Sequence, residues 1–214
     1  MNGSLHCPLC DHRQIDPFYR DARREYLRCC QCALVFVTPK DYLPPAEEKA
    51  EYDLHQNEVY DEGYRGFLSR LTTPLLERIP EGARGLDFGC GPGPALATML
   101  TEAGCQMQLY DVFFYPKEAV LEKSYQFITA TEVVEHLHRP GSELAALWQR
   151  LEPGGYLGIM TKLVSDVQAF AGWHYKNDLT HVCFFSEQTW RWWAELNDAE
   201  LERFGADVML LRKP

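Results

Sequence analysis

The chain has 214 residues, 46% of them hydrophobic, and its 21 Lys and Arg against 31 Asp and Glu leave a formal net charge of −10. That length holds one domain of about 150 residues with a sizeable core and a small appendage, and the acidic balance argues against a phosphate-rich partner, because nucleic-acid affinity rests on Lys and Arg neutralising phosphates. No apolar run approaches the roughly 18 residues of a membrane span, and Met1 to His6 lack the basic and apolar regions of a signal peptide, so a cytoplasmic location is expected.

Eight cysteines in such a chain point to metal rather than to disulfides. Cys7-Pro8-Leu9-Cys10 and Cys29-Cys30-Gln31-Cys32 are two Cys-x-x-Cys knuckles separated by 18 residues, close to the spacing of a four-thiolate zinc site, and zinc favours a closed tetrahedral shell when its task is structural. Cys7, Cys10, Cys29 and Cys32 are the expected ligands, with Cys30 as the spare thiol. No Cys-x-x-x-Cys-x-x-Cys occurs, which argues against a radical iron–sulfur enzyme. A segment of about 40 residues buries too little surface to fold alone, so metal binding supplies the folding energy of residues 1–40, which read as a zinc ribbon with strands at 26–28 and 33–37. Arg20, Arg23, Arg24 and Arg28 read as a solvated face rather than a basic patch.

Residues 41–45 mark a linker, and residues 46–79 read as helical, with Leu68, Leu71, Leu75, Leu76 and Ile79 spaced by threes and fours as a core-facing stripe. Gly85-Leu86-Asp87-Phe88-Gly89-Cys90-Gly91-Pro92-Gly93-Pro94 follows, and Tyr110-Asp111 ends a second apolar run. Glycines at 89, 91 and 93 allow a tight turn and let a ligand approach bare backbone, while an acid at the next strand's tip can accept two hydrogen bonds from ribose hydroxyls. Pyrophosphate binders read Gly-x-Gly-x-x-Gly, with a helix N-terminus aimed at the diphosphate. Here the order is Asp-x-Gly-x-Gly-x-Gly, and the acid before the first glycine repels a phosphate but suits a ligand carrying an ammonium and a sulfonium.

Further elements are expected as a helix over 94–103, a strand over 106–110, an abbreviated third strand between 111 and 125, and a strand from 125 into the turn Thr131-Glu132-Val133-Val134-Glu135-His136. A helix over 142–151, a strand over 156–160, a helix over 186–196 capped by Ser186 and a hairpin at 200–205 and 207–212 complete the series. The stretch 170–186 follows the fifth strand, where parallel sheets put ligand-contacting loops; it carries Trp173, His174, Tyr175, Asp178 and His181.

Leu86 to Gly93 resembles the Leu-Asp-x-Gly-Cys-Gly-x-Gly string of class I S-adenosylmethionine-dependent methyltransferases. Glu132, Val133, Glu135 and His136 match the Glu-Val-x-Glu-His of that family's fourth strand, and Leu151-Glu152-Pro153-Gly154-Gly155 matches the turn before its fifth; Gln126 stands where many relatives have Asp. The resemblance implies an α/β, Rossmann-like seven-stranded sheet over 81–214, with residues 41–80 as linker and cofactor-covering helices. It implies that Asp87, Phe88, Gly89, Cys90, Gly91, Gly93, Asp111, Thr131 and Glu132 bind S-adenosylmethionine. His55, Asn57, Tyr60 or Tyr64 either reach the methionine carboxylate or substrate, or do only local work at a helix start. The Cys-Pro-x-Cys start with Val35, Phe36 and Pro39 is similar to ribbons at the front of some bacterial small-molecule methyltransferases, and Asp178, Thr180, His181, Val182, Phe185 and Ser186 match a string in that group.

The expected activity is O- or C-methylation of a small-molecule acceptor, enclosed by Trp173, His174, Tyr175 and Asp178. His181 or His136 would be the base, since an unperturbed imidazole accepts a proton at neutral pH. Glu132 and Glu135 would orient a histidine or, as a distant resemblance to ubiquinone-pathway O-methyltransferases allows, hold a divalent cation. Two other readings stay open: an RNA-modifying methyltransferase, whose ribbons carry a Cys-and-His pattern this chain lacks, and a non-catalytic cofactor-binding or partner module.

Overall fold

The computed structural model describes residues 5–54 and 58–214. Three strands come first, β1 (Ile15–Arg20), β2 (Glu25–Cys29) and β3 (Val35–Phe36), followed by helices α1 (Pro45–Asp53) and α2 (Glu62–Leu76). An alternating series then runs through β4 (Arg84–Phe88), α3 (Ala95–Glu102), β5 (Gln106–Tyr110), β6 (Tyr125–Thr131), α4 (Pro140–Arg150), β7 (Leu151–Met160) and α5 (Val167–Ala171). β8 (Cys183–Phe184), α6 (Glu187–Leu196), β9 (Glu200–Phe204) and β10 (Val208–Arg212) close the chain.

The larger sheet has six strands among the described residues, in the order β5-β4-β6-β7-β10-β9. β5, β4, β6 and β7 are parallel, and β10 and β9 add an antiparallel edge. Strands covered on both faces read as continuous apolar runs, as Phe127, Ile128 and Ala130 of β6 and Val208 to Leu211 of β10 do, all buried. This is the α/β methyltransferase-type architecture, with one strand fewer than the seven expected. Residues 112–124 must carry the chain from β5 past β4 to β6, and a parallel crossover alone takes a dozen or more residues. They spend that length on a bridge between Asp111 and Tyr115 and a 3-10 turn at Glu118–Glu122, with no third strand.

Close approach dictates two glycines in this sheet. A Cβ on Gly85 of β4 would lie 2.1 Å from the ring of Phe127 on the neighbouring strand, and one on Gly158 of β7 would meet Leu71 of α2 at 3.1 Å. The α2 stripe of Leu68, Leu71 and Leu75 is buried, as its spacing predicts. Asp61 caps α2 by accepting from the Tyr64 N–H at 2.6 Å, and Ser186 with Thr189 forms a capping box at the start of α6. No helix among the described residues is long and apolar enough to cross a membrane.

The smaller sheet is antiparallel in the order β1-β2-β3-β8. Its outermost member comes from far along the chain: Val35 faces Phe184 and Phe36 faces Cys183. A two-residue strand is too short to show an alternation signal, so 170–186 reads as a loop in the sequence although it completes this sheet. Buried Leu34, Val35, Phe36 and Val37 belong to one apolar cluster with Ile128, Leu157 and Ile159 of the larger sheet. Packing therefore runs across residue 40 without a break.

The two kinds of glycine should respond oppositely to added bulk. Gly85→Ala is expected to destabilise by about 1–3 kcal/mol, the cost of overpacking a filled core. Gly66→Ala, at a position in α2 with open space around it, is expected to stabilise by about 0.5–1 kcal/mol. Urea denaturation of the two variants checks this, and equal shifts would contradict the packing described.

Candidate functional site

Open α/β sheets bind ligands beyond the carboxyl ends of their parallel strands, and the glycine turn after β4 lies there. Gly89 and Gly91 adopt φ of +71° and +64°, the left-handed region that favours glycine. A Cβ on Gly89 would sit 2.6 Å from Val133, so only bare main chain passes between β4 and the turn after β6. Gly91 has no such neighbour within 4 Å. The Gly89 N–H donates to the Tyr110 carbonyl at 2.8 Å and the Gly91 N–H to Asp111 Oδ2 at 3.0 Å, which ties the turn to the tip of β5.

Asp111 does more local work than its position suggests. Its Oδ1 also accepts from the N–H groups of Phe113 at 2.9 Å and Phe114 at 3.1 Å, so three of a carboxylate's roughly four acceptor sites hold the loop that follows. Asp87 is buried beneath the turn, and its Oδ1 accepts from the Thr129 hydroxyl at 2.9 Å. Burial, with Asp111 adding, pushes its carboxyl up to about 7. A buried acid in that state gains its charge when a cation settles beside it.

The turn opens on a cavity of about 1100 Å³. Asp87, Phe88, Gly89, Cys90, Gly91, Gly93, Asp111, Thr131, Glu132 and Tyr64, all expected at a cofactor, lie on its wall. His55 lies outside the described residues. Glu132 has φ +52°, unusual for a residue with a side chain. Burial pushes its carboxyl above the usual carboxylate range, and its Oε1 and the Thr131 hydroxyl are buried with no hydrogen-bond partner among the described residues. Buried polar groups nearly always have partners, so these two atoms, beside an open glycine turn and a buried acid, fit a ligand that brings polar and cationic groups. The strain at Glu132 and the two orphaned atoms leave no trace in the sequence.

Of the residues expected to act on the acceptor, His136, Asp178 and His181 reach the cavity wall. His181 is 7% exposed, and its Nδ1 lies 2.7 Å from the Tyr175 carbonyl. A carbonyl only accepts, so Nδ1 carries the hydrogen, and Nε2 keeps a lone pair 3.6 Å from Asp178 Oδ2. Burial outweighs Asp178 and lowers the imidazole to about 4. His136 Nδ1 donates to the Thr180 carbonyl at 3.3 Å, and its ring meets that of His181 edge-on with centroids 4.6 Å apart.

Four expected residues sit elsewhere. Glu135 is fully buried and off the cavity wall: Oε2 accepts from Thr161 at 2.9 Å and Oε1 from the Tyr175 hydroxyl. Its carboxyl therefore ties the turn after β6 to Thr161 and Tyr175. Donor atoms of Glu135, His136 and His181 lie within 4.8 Å of one another, and each Glu135 oxygen also accepts one of these two hydrogen bonds. Trp173 and Tyr175 pack together at 4.9 Å beside Phe170 and Phe184, and His174 lies 3.1 Å from Lys162 Nζ; none of the three lines the cavity. The 3-10 turn at His174–Asn177 spends these aromatics on the joint between the two sheets. The aromatic wall comes instead from Tyr52, Phe113 and Phe114. The Phe113-Phe114 pair, one residue beyond Asp111, is the one signal that could have pointed to it.

The four knuckle sulfurs converge. Cys7 and Cys32 Sγ are 3.5 Å apart, as are Cys10 and Cys29 Sγ, and all four lie within 4.8 Å of one another. Sulfurs on a tetrahedral shell with ~2.3 Å bonds are about 3.8 Å apart. The two knuckles share one backbone turn: the Asp11 N–H bonds the Cys7 carbonyl, the Ala33 N–H bonds the Cys29 carbonyl, and both closing residues have φ near +60° (60° and 59°). Cys30 is exposed, with Sγ 3.3 Å from Asp16 Oδ2.

Residues 60–203 match a family model described as a methyltransferase domain. No curated protein matches the chain. Among solved structures it is similar to Burkholderia thailandensis 1,6-didemethyltoxoflavin-N1-methyltransferase with bound 1,6-didemethyltoxoflavin and S-adenosylhomocysteine, at 17% identity over 92% of this chain and 99% of that one, with a TM-score of 0.50. An S-adenosylmethionine-dependent methyltransferase from Archaeoglobus fulgidus is similar at 16% identity over 70% of this chain and 94% of that one, with a TM-score of 0.51. The matched residues hold the glycine turn, Asp111, the turn after β6 and the loop with Asp178 and His181, and the chain belongs to the class I S-adenosylmethionine-dependent methyltransferase family.

Proposed function

We propose that the protein methylates a small, largely apolar acceptor at oxygen or carbon, and that zinc on Cys7, Cys10, Cys29 and Cys32 keeps the ribbon folded. One observation carries the first part. The cavity of about 1100 Å³ runs from the glycine turn to Tyr52, Phe113 and Phe114 and takes in His136 and His181, whereas a site for one small ligand is roughly 300–1,000 Å³. The Burkholderia protein holds a small molecule beside S-adenosylhomocysteine, which supports the same acceptor class by analogy. The expectations that Trp173, His174 and Tyr175 enclose the acceptor and that Glu135 is catalytic are not carried forward.

The donor supplies a sulfonium methyl that needs no further activation. What remains for the protein is orientation, exclusion of water and, for a hydroxyl or carbon-acid acceptor, removal of one proton. Main chain at 89–93, Asp87, Thr131 and Glu132 would hold the donor. Tyr52, Phe113 and Phe114 would enclose the acceptor and keep water out. His181 Nε2 would take the proton, and the resulting imidazolium would be held by the Tyr175 carbonyl at Nδ1 and by Asp178 at Nε2.

Incubating the pure protein with isotope-labelled S-adenosylmethionine and a whole cell extract should give labelled low-molecular-weight product; label found in RNA alone would overturn the acceptor class. His181→Ala should slow that transfer by about 10²–10⁴-fold, with S-adenosylhomocysteine affinity kept within a few-fold. In the unaltered protein the base form of His181 is present above about pH 4, so the acid limb of turnover falls there. Its unfolded value is higher, ~6.5, so unfolding takes up a proton between those values; stability rises with pH across that window and is lost as pH falls through it. For the metal, elemental analysis should find one zinc per chain, and a strong chelator should lower the thermal midpoint; a zinc-free preparation of unchanged midpoint would remove that assignment.

A further inference from the structure

Arginines in the ribbon read from the sequence as a solvated face, yet Arg24, just before β2, is 4% exposed. All five of its guanidinium hydrogens have an acceptor. Nη1 donates to the carbonyls of Leu179 at 3.2 Å and His181 at 3.0 Å, Nη2 to those of Lys176 at 2.5 Å and Asp178 at 3.1 Å, and Nε to the Tyr26 hydroxyl at 3.3 Å. Arg23 adds a bond to the Asn177 carbonyl at 3.3 Å and one to its side-chain oxygen at 3.0 Å. The Thr180 carbonyl accepts from His136, and that of Val182 from the Val37 N–H at 3.0 Å.

Every carbonyl from 176 to 182 is thus held by a donor outside this loop, and four of the seven by one side chain. A guanidinium is suited to this: it is planar, always charged and carries its donors in a fixed fork. Side chains of Asp178 and His181 from this same loop reach the cavity wall.

We propose that Arg24 is a positioning residue for methyl transfer: by gathering the carbonyls of 176, 178, 179 and 181 it fixes the pose of Asp178 and His181, so that the ribbon is part of the reaction centre's support. The inference rests on the reading of His181 as the base. The β3–β8 pairing and the contacts of Tyr26 with Phe170 and Phe184, at 4.9 and 5.8 Å, also join the ribbon to this region. Titratable and charged groups around His181 are Asp178 on its own loop, Arg24 from the ribbon, Lys162 after β7, Glu135 and His136 from the turn after β6, and Tyr175.

The test compares Arg24→Gln and Arg24→Lys with the unaltered full chain. Nuclear magnetic resonance of ring-labelled histidine reads the tautomer and titration of His181 without needing the acceptor. Amide hydrogen exchange reads the loop, and calorimetry with S-adenosylhomocysteine reads the donor site. The unaltered protein should show His181 as the Nδ1–H tautomer, titrating below the ordinary imidazole range. In Arg24→Gln that titration should move up by a unit or more with the two tautomers mixed, and amides 176–182 should exchange at least tenfold faster. Metal content and S-adenosylhomocysteine affinity should stay within twofold, and labelled-methyl transfer should fall at least tenfold. Arg24→Lys keeps the charge without the fork and should be intermediate.

A folded Arg24→Gln with unchanged His181 signals and loop exchange would overturn the proposal. So would loss of metal and S-adenosylhomocysteine binding together with the loop in both variants, which would make Arg24 a residue of the fold at large. His181→Gln, assayed in parallel, separates the two readings: full transfer in His181→Gln removes the base assignment, while lost transfer there beside full transfer in both Arg24 variants removes the positioning role alone.

Discussion

A buried stretch of irregular backbone must find hydrogen-bond partners for its carbonyls outside itself, because no helix or sheet ladder supplies them. Residues 176–182, largely buried apart from Asn177 and irregular beyond the 3-10 turn that ends there, are such a stretch. The donors come from the ribbon, through Arg23, Arg24 and Val37, and from the turn after β6, through His136. That requirement brings together parts of the chain some 150 residues apart and places Asp178 and His181 on the wall of the cavity that the glycine turn also lines. The β3–β8 pairing and the aromatic packing of Tyr26, Phe170 and Phe184 hold the same joint from the apolar side.

Electrostatics at the site follow from burial more than from net charge. Asp87, Glu132 and Glu135 all lie in surroundings that push their carboxyls upward, yet they have different partners. Glu135 accepts from Thr161 and Tyr175 deep in the core, whereas Asp87 and Glu132 face the cavity, and one oxygen of Glu132 is without a partner among the described residues. Acids that burial holds near neutrality become favourable anions when a cation arrives, which suits a sulfonium donor and disfavours a phosphate. His181 follows the converse rule: burial keeps it neutral, with the lone pair on the ring nitrogen that faces Asp178.

A donor with an already activated methyl asks little chemistry of the protein and a good deal of placement. The architecture answers in that proportion. Strand tips and a left-handed glycine turn form one wall, aromatics from α1 and the segment after β5 form another, and the ribbon's arginines hold the loop that faces both.

Local patterns declared themselves in the sequence because their physics is local. Glycines at 89 and 91 answer to φ, the α2 leucines to helical period, Ser186 to capping, and the paired Cys-x-x-Cys knuckles to ligand spacing; each is where its pattern places it. The Rossmann-like sheet is implied by the family resemblance that motifs at strand ends carry, and the order of its strands is a finding of the structure. Tertiary structure alone decided what depends on distant segments meeting. It left the third strand out because 112–124 is consumed by the crossover, and it spent Trp173, Tyr175 and Glu135 on the core. It buried Arg24 under a loop that follows it by some 150 residues, and it joined residues 183–184 to the ribbon. A sequence pattern reports which side of its own helix or strand a residue occupies, whereas which distant backbone lies against that side is set only when the layers close.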